Sequence, residues 1–392
     1  MPWRKTEPME ERLKFIADWL AGYSVSELSV IYGVSRKTVY KWTERYERFG
    51  LDGLKEFSRV PISSPNQTEE AVVGRLVEAK LLHMSWGPKK VLDFLKRRQP
   101  EVKWPCVCTA EKWLKKHGLV RARRLRKRTP GYSEPFLSCD APNRVWSADY
   151  KGQFKTGDGR WCYPLTITDN MSRYLLTCKG LYSPCYVETR PWFEWTFREF
   201  GLPQAIRTDN GTPFAGRGLS GLSRLSVWWI KLGIRPERIE SGKPQQNGRH
   251  ERMHRTLKQD ATTPPMPDMH RQQLRFNQFR HEYNNERPHE ALGQKPPASI
   301  YEPSPQRYPE RLREPEYDHG IEIRTVRHGG EISFKKNYYF ISELLAGERV
   351  GLVEVADGKH EIRFGFHPIG ILDARLRRIE PKLTKAGCPK FA

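Results

Sequence analysis

SGKPQQNGRHERMHRTLK, residues 241–258, is the stretch around which the rest of the chain can be interpreted. Its first half is rich in Gly, Pro and Asn and predicts a loop. Its second half contains nothing that breaks a helix, so we expect a helix to begin near Asn247. Residues four and seven apart share a helical face, so Glu251, Arg255 and Lys258 should point the same way. A carboxylate beside two cations suits a metal ion together with a phosphate, although such a pattern alone is more typical of an exposed intrahelical ion pair.

The composition favours nucleic acid as the partner. The 392 residues include 68 Lys and Arg against 46 Asp and Glu, which gives a net charge of +22. So large a positive charge favours nucleic acid over a membrane. The chain length predicts roughly two to four domains. No apolar run is long enough to cross a bilayer, so we expect a soluble intracellular protein. The seven cysteines are odd in number and scattered, which argues against a disulfide framework.

Residues 1–60 should form a helix-turn-helix DNA-binding domain. Apolar residues recur at helical spacing in three segments, with Ser24 or Ser26 able to cap the second helix and Ser35 the third. The third helix would present polar and basic side chains at its N-terminal end, where a recognition helix contacts bases. These candidate DNA contacts are Arg36, Lys37, Thr38, Tyr40 and Lys41. A plain three-helix bundle with a basic face is the alternative.

Residues 66–120 repeat this plan more loosely and predict a second helix-turn-helix-like domain. Helices are expected over residues 69–82, after Pro88, and behind a cap at Thr109. Residues 121–135 then form a basic linker, which is either solvated or an arm that binds DNA phosphates. In so basic a protein we favour the arm, and its candidate DNA contacts are Arg121, Arg123, Arg124 and Arg126.

From Val145 the apolar pattern becomes alternating and predicts strands. The expected elements are a three-stranded meander, a helix and a further buried strand, over residues 145–150, 161–168, 174–177, 192–200 and 204–207. Asp149 lies within the first strand, where a carboxylate is costly to bury without a partner. Asp209 directly follows the last strand, a common position for ligands. Both positions call for a cation.

Three carboxylates, Asp149, Asp209 and Glu251, thus occur where an ion would be expected. Four motifs surround or follow them: Trp146-x-x-Asp149, Thr208-Asp209-Asn210-Gly211, Pro244-Gln245-x-Asn247-Gly248-x-x-Glu251-Arg252 and Tyr283-Asn284-x-x-Arg287-Pro288-His289-x-Ala291-Leu292. Together these motifs resemble the integrase core of bacterial insertion-sequence transposases, which is similar to that of retroviral integrases. The resemblance covers nearly the whole chain.

The resemblance implies a ribonuclease H-like catalytic core over residues 136–300. Its Asp-Asp-Glu triad would bind two Mg²⁺ ions, for which Mn²⁺ can substitute, and would consist of Asp149, Asp209 and Glu251. The implied activity is cleavage at the ends of a transposon and joining of the freed 3′-hydroxyl to target DNA.

The implied partners are double-stranded DNA, as transposon ends and as target, and further copies of the chain in a dimer or tetramer on that DNA, with no membrane. Asn247 and Lys258 would lie where the family contacts the DNA end, and Arg255 is a further candidate contact beside them. The expected location is the cytoplasm, in association with the bacterial nucleoid.

The chemistry supports the same assignment without the family. Displacement at a phosphodiester needs an activated nucleophile and a stabilised leaving oxygen, which two Mg²⁺ ions about 3.5–4 Å apart supply. Mg²⁺ takes oxygen ligands, so a few carboxylates suffice. The spacing departs from the family, since 41 residues separate Asp209 from Glu251. We expect the surplus residues in a flexible loop at 215–221.

The C-terminal part completes a multidomain fold: α-helical helix-turn-helix modules, an α/β ribonuclease H-like core and a small C-terminal β-barrel. A helix is expected over residues 266–286 and a Pro-rich linker over residues 301–319. Residues 320–382 return to short alternating strands separated by glycine turns, which predicts the barrel. By resemblance it would bind DNA nonspecifically or organise the oligomer, with a purely structural cap as the alternative.

Two other functions compete with transposition. A catalytically silent DNA-binding repressor derived from such an element would keep the DNA-binding modules, but the intact triad argues against it. A ribonuclease H-type nuclease of another family would not need tandem helix-turn-helix modules. We expect His250, His254, His289 and the Trp228-Trp229 pair to pack or to face solvent.

Overall fold

The computed structural model describes residues 7–57, 67–120, 137–216, 218–240, 244–312 and 314–381. The chain divides into two compact units, Met1–Thr68 and Glu69–Ala392. Among the described helices, none combines the length and the apolar character needed to span a bilayer.

The described part of the first unit contains three α-helices, as the apolar periodicity predicts: α1 (Pro8–Leu20), α2 (Val25–Ile31) and α3 (Arg36–Phe49). Ser24 caps α2 in a reciprocal pair with Glu27, and Ser35 accepts from the backbone of Thr38 at the start of α3, which fixes where each helix begins. Phe15, Ile16, Leu28, Val39, Trp42 and Leu54 form its buried core.

The second unit begins with three further helices: α4 (Glu70–Leu82), α5 (Pro88–Arg98) and α6 (Val107–Lys116). Pro88 is the first residue of α5, where its missing N–H costs nothing. The predicted cap at Thr109 is wrong, because α6 begins three residues after Trp104 with Cys106 at its N-cap position. Thr109 therefore lies inside the helix, where its Oγ1 is 3.1 Å from the Cys106 sulfur.

A mixed sheet forms the centre of the second unit. Its strands are β1 (Val145–Tyr150), β2 (Phe154–Lys155), β3 (Trp161–Asp169), β4 (Leu175–Leu181), β5 (Ala205–Thr208) and β6 (Arg235–Arg238). The meander β1, β3 and β4 is antiparallel, whereas β5 and β6 extend it in parallel from β1. The resulting order is β4-β3-β1-β5-β6, with β2 paired only to one end of β3. The α/β core predicted from the alternating pattern is thus confirmed.

Helices cover both faces of this sheet: α7 (Tyr186–Phe200), α8 (Arg224–Lys231), α9 (Gly248–Ala261) and α10 (Met269–Asn285). Trp146 and Ala148 of β1 share a buried cluster with side chains of α7 and α8. Met253 of α9 and Phe276 of α10 belong to a second buried cluster. Because successive side chains of a strand point to opposite faces, Asp149 points to the side of α9.

Helix α8 is apolar on both sides. Leu225, Trp228 and Trp229 pack into the first of these clusters, which we call the cluster beneath the sheet. Val227 and Ile230 belong to the core of the C-terminal strands. An all-round apolar helix is typical of a fully buried one. The tryptophan pair therefore packs, as predicted.

The C-terminal strands are β7 (Glu322–Thr325), β8 (Glu331–Phe334), β9 (Asn337–Phe340), β10 (Arg349–Ala356), β11 (Lys359–Phe364), β12 (His367–Asp373) and β13 (Arg378–Pro381). Five of them form an open antiparallel sheet in the order β13-β12-β11-β10-β7. The predicted closed barrel is not found among these strands, because β8 and β9 pair only with each other and leave β7 and β13 as edges.

The predicted linker at 301–319 packs on the core over part of its length. Tyr301 and Tyr308 contact the cluster beneath the sheet. The Ser304 N–H donates to the Phe200 carbonyl at 2.8 Å, and the Leu202 N–H donates to the Gln306 carbonyl at 2.7 Å. These described residues therefore hold the segment against the end of α7.

Candidate active site

The parallel pairing of β1 and β5 brings two of the three predicted acids to the same edge of the sheet. The register pairs Trp146 with Ile206 and Ser147 with Arg207. Continued by two residues, the same register aligns Asp149 with Asp209. Glu251 lies in the first turn of α9, on the face of the sheet towards which Asp149 points.

Asp149 occupies an environment that disfavours its own charge. Its side chain is 20% exposed and forms no side-chain hydrogen bond among the described residues. Burial, together with the negative charges of Asp209 and Glu251, raises the pKa of Asp149 to about 7, against the opposing effect of the Tyr150 backbone N–H. A bound cation would relieve this cost, since an opposite charge favours the ionised form.

A tight turn holds Asp209 in place. The Gly211 N–H donates to Asp209 Oδ1 at 3.1 Å, and a Cβ at position 211 would lie 3.0 Å from Oδ2. Glycine therefore gives the carboxylate room. The Asn210 side chain donates to the Ile239 carbonyl at 2.8 Å, which ties the turn to the end of β6.

The turn Pro244–Asn247 leads into α9 and is held by Gln246. Gln246 accepts from the Glu240 N–H at 2.7 Å and donates to the Glu240 carboxylate at 3.0 Å. No pattern in the sequence indicated this role. Asn247 is only 5% exposed, and its buried Oδ1 has no hydrogen-bond partner among the described residues. Its contact with DNA stays a prediction.

One cation beside Asp149, Lys151, was missed from the sequence. Arg255 and Lys258 are exposed on α9, and their contacts with DNA stay predictions. Lys151, two residues after Asp149, is half-buried, and burial followed by the charge of Lys258 lowers its pKa, while Asp149 opposes this. The positive charges of Lys151 and Lys258 therefore repel each other close to Asp149.

His250 and His254 are buried, which agrees with packing and not with solvent exposure, but they also make specific contacts. The Nε2 atoms of both lie 2.7 Å from Thr166 Oγ1, and His250 Nδ1 lies 2.8 Å from Thr168 Oγ1. Burial lowers the pKa of His250 to about 3 and that of His254 to about 2, so both are neutral.

The ligand atoms of these histidines and of Asp149 are close enough together that a metal ion could lie among them. One ligand atom from each of Asp149, His250 and His254 lies within 4.8 Å of the others, and His254 Nδ1 is 3.8 Å from Asp149 Oδ2. The spacing of four residues could have placed both imidazoles on one helical face, but it could not show that this face meets β1 and β3.

The predicted recognition residues lie on the outer face of α3 within the first unit. Arg36, Lys37, Tyr40 and Lys41 are exposed, and Thr38 is half-buried with its hydroxyl 2.9 Å from Ser35 Oγ. Their contacts with DNA stay predictions. The basic-arm candidates Arg121, Arg123, Arg124 and Arg126 lie outside the described residues.

Comparison with known proteins agrees with this organisation. Residues 140–244 and 232–297 match two family models, each described as an integrase core domain, and residues 11–56 match a helix-turn-helix domain. The chain thus matches an integrase core domain over part of its length, behind a match to a helix-turn-helix domain.

Two of the similar proteins belong to insertion elements, which confirms the resemblance stated from the motifs. The chain is 26% identical over 293 residues to the uncharacterized 39.2 kDa protein of insertion element IS476 from Xanthomonas euvesicatoria, covering 72% of this chain and 79% of the relative. It is 25% identical over 246 residues to the uncharacterized 31.7 kDa protein of insertion element IS407 from Burkholderia multivorans, covering 61% of this chain and 83% of the relative. The HTLV-2 integrase catalytic core, in its trimeric form, is 17% identical over 41% of this chain and 98% of its own, with a TM-score of 0.33, too low to bear on the fold.

Proposed function

We propose that this protein is the DNA transposase of an insertion sequence, built on a ribonuclease H-like core. It binds the terminal inverted repeats of the element, cleaves the ends and joins the 3′-hydroxyl to target DNA. The observation that carries the proposal is Asp149, a largely buried carboxylate that accepts no hydrogen bond from a described side chain and whose pKa is raised by burial and by the charges of Asp209 and Glu251. Perturbed carboxylates in such a cluster are typical of catalytic sites.

The donor set fits hard divalent cations. Asp149, Asp209 and Glu251 offer carboxylate oxygens, the ligands that Mg²⁺ and Mn²⁺ take in proteins. When bound, two such ions activate the attacking oxygen and stabilise the leaving oxygen of a phosphodiester displacement. Holding these ions is the role of the triad.

The cations beside the triad hold the DNA end. Lys258 lies two helical turns after Glu251 and projects from the same side of α9. Lys151 and Arg255 add positive charge at the same place. Their attraction for phosphate positions the scissile bond. Asn247, at the N-terminus of α9, also contacts the DNA end.

The remaining modules divide recognition between them. Residues 1–60 and 66–120 bind the terminal repeats, with base contacts from α3, and the basic linker 121–135 contacts phosphates. Residues 320–382, joined to the core 136–300 by the segment 301–319, bind DNA without sequence preference or organise a dimer or tetramer.

An end-joining assay tests the proposal. Full-length protein is incubated with labelled element ends, a target plasmid and Mg²⁺, and the products are sequenced. Asp209→Asn should lower joining by about 10³-fold or more, because metal-assisted charge stabilisation supplies several kcal/mol. Binding to the ends should change little, since recognition lies in the helical modules.

Glu194→Gln provides the matched control. Glu194 is an acid on α7 that pairs with Arg198 at 2.8 Å, outside the predicted site, so its variant should join ends at the wild-type rate. Full joining by Asp209→Asn would reject the triad. A wild-type protein that bound the ends but never joined them would instead be the silent repressor.

A further inference from the structure

We propose that His254 supplies a nitrogen ligand to the divalent ion held by Asp149. The ion site would then have a mixed nitrogen and oxygen donor set, which shifts its preference from Mg²⁺ towards metals that accept nitrogen, Mn²⁺ among them. This inference rests on the proposed function, because it requires Asp149 to hold an ion.

The hydroxyl of Thr166 decides where the proton of His254 lies. This hydroxyl has one hydrogen, which we assign to the bond with the Asp149 carbonyl oxygen at 3.1 Å, because a carbonyl can only accept and this assignment alone makes all three contacts hydrogen bonds. Towards the Nε2 atoms of His250 and His254, both at 2.7 Å, it therefore acts as the acceptor. Each imidazole thus carries its proton on Nε2, and each Nδ1 has a lone pair.

The lone pair of His254 faces a carboxylate. Nδ1 of His254 lies 3.8 Å from Asp149 Oδ2 and forms no hydrogen bond among the described residues. Neither atom has a proton to share when Asp149 is ionised, so the pair is mutually repulsive in the absence of a cation. A metal ion between them turns this repulsion into coordination.

The separation is close to that of two ligands on one ion. Ligand atoms each about 2.1 Å from a metal lie roughly 3.0–3.6 Å apart at angles between an octahedral and a trigonal arrangement. The observed 3.8 Å therefore needs only a small rotation of either side chain. The Nε2–H of His254, held by Thr166, fixes the ring in the way that outer hydrogen bonds orient metal-binding histidines.

His250 differs from His254 although it lies one turn earlier on the same helix. Its Nε2 donates to Thr166, and its Nδ1 accepts from the Thr168 hydroxyl at 2.8 Å. Both nitrogens are thus engaged, and no lone pair remains for an ion. Of the two imidazoles, only that of His254 can coordinate without breaking a hydrogen bond, so His250 serves as the matched control.

Pulsed EPR of Mn²⁺ bound to the full-length protein without DNA tests the proposal. The wild type should show coupling of Mn²⁺ to a directly bound nitrogen, and labelling with ¹⁵N-histidine should change the coupling frequency without any substitution. His254→Ala should abolish the coupling and weaken Mn²⁺ binding on the order of tenfold, the scale expected when a residue at a metal site is lost. His250→Ala should retain the coupling.

Each result separates the inference from the function on which it rests. Mn²⁺ that binds through Asp149 without nitrogen coupling in the wild type would overturn the role of His254 and leave the transposase proposal standing. Coupling that disappears in His250→Ala but persists in His254→Ala would also overturn it. If Asp149→Asn binds Mn²⁺ as well as the wild type does, the metal site itself, and with it the proposed function, is wrong.

Discussion

Asp149 and Asp169 are buried aspartates on the paired strands β1 and β3, yet the protein treats them differently. Asp169 accepts hydrogen bonds from the Asn143 N–H at 2.8 Å, the Ser172 N–H at 2.7 Å and the Ser172 hydroxyl at 2.6 Å. Asp149 has no side-chain donor among the described residues and faces two further acids.

This difference shows that burial alone does not mark a functional carboxylate. Burial raises the pKa of both groups, but at Asp169 the Ser172 donors oppose it, whereas at Asp149 the charge of Asp209 adds to it. A carboxylate whose acceptor sites are filled by the chain stabilises the fold. One that receives no hydrogen bond from a side chain and lies among other acids is available to an external cation.

Isosteric substitutions should separate the two residues most strongly. In the metal-free protein at neutral pH, Asp169→Asn should lower the free energy of unfolding by about 3 kcal/mol, because buried donors lose their acceptor. Asp149→Asn should raise it by about 2 kcal/mol, because an unpaired buried charge is removed. Urea titrations with a chelator present, followed by tryptophan fluorescence, would measure both, and equal losses in the two variants would refute the distinction.

The pH dependence of stability should sharpen the same comparison. The pKa of Asp149 is about 7 in the folded protein against an ordinary value of 3.8. Because this pKa is raised, the contribution of Asp149 to the free energy of unfolding is fully present below about pH 4 and is lost as the pH rises through about 7. The full difference between the two pKa values corresponds to about 4 kcal/mol in the free energy of unfolding. We expect about half of this effect, because the side chain keeps some contact with water.

Subtracting the profile of Asp149→Asn from that of the wild type would isolate this effect. The wild type should lose stability relative to the variant as the pH rises, and saturating Mg²⁺ should remove the difference, since an ion that binds only the folded state stabilises it. If the pH profiles of the two proteins ran parallel in the absence of metal, the charge of Asp149 would already be stabilised by the protein itself.

Ser172→Ala should have the smallest effect. Its hydroxyl provides one of the three donors to Asp169 and accepts from the Tyr174 N–H at 3.2 Å. Losing it should cost about 1 kcal/mol. In a double-mutant cycle the same change should cost clearly less when Asp169 is already Asn, because the two residues share one hydrogen bond. Strict additivity would show that Ser172 acts through other contacts.

The strands and the three acids could be predicted from the sequence because their signals are local. Alternating apolar residues predicted β1, and the glycine turn after Asp209 predicted the end of β5. The loop before Glu251 likewise predicted where α9 begins. Lys151, Gln246 and His254 were missed because their roles depend on which surface α9 meets, and helical spacing alone does not contain this information.

The C-terminal strands show the same limit. Their alternation identified strands, but closure depends on which distant edges form hydrogen bonds. Lys335 and Lys336, both with positive φ, form the tight turn that pairs β8 with β9, and glycine was not needed there. This local hairpin took two strands out of the ladder that a closed barrel would have required.

The two-sided apolar surface of α8 also limits how this chain could have been assembled in evolution. Val227 and Ile230 complete the core of the C-terminal strands, while Trp228 and Trp229 complete the core of the sheet. If the C-terminal segment were exchanged for an unrelated one at residues 301–319, one apolar side of α8 would be exposed to water. Inheritance of the two regions should therefore be linked, and their buried residues should change together across related elements.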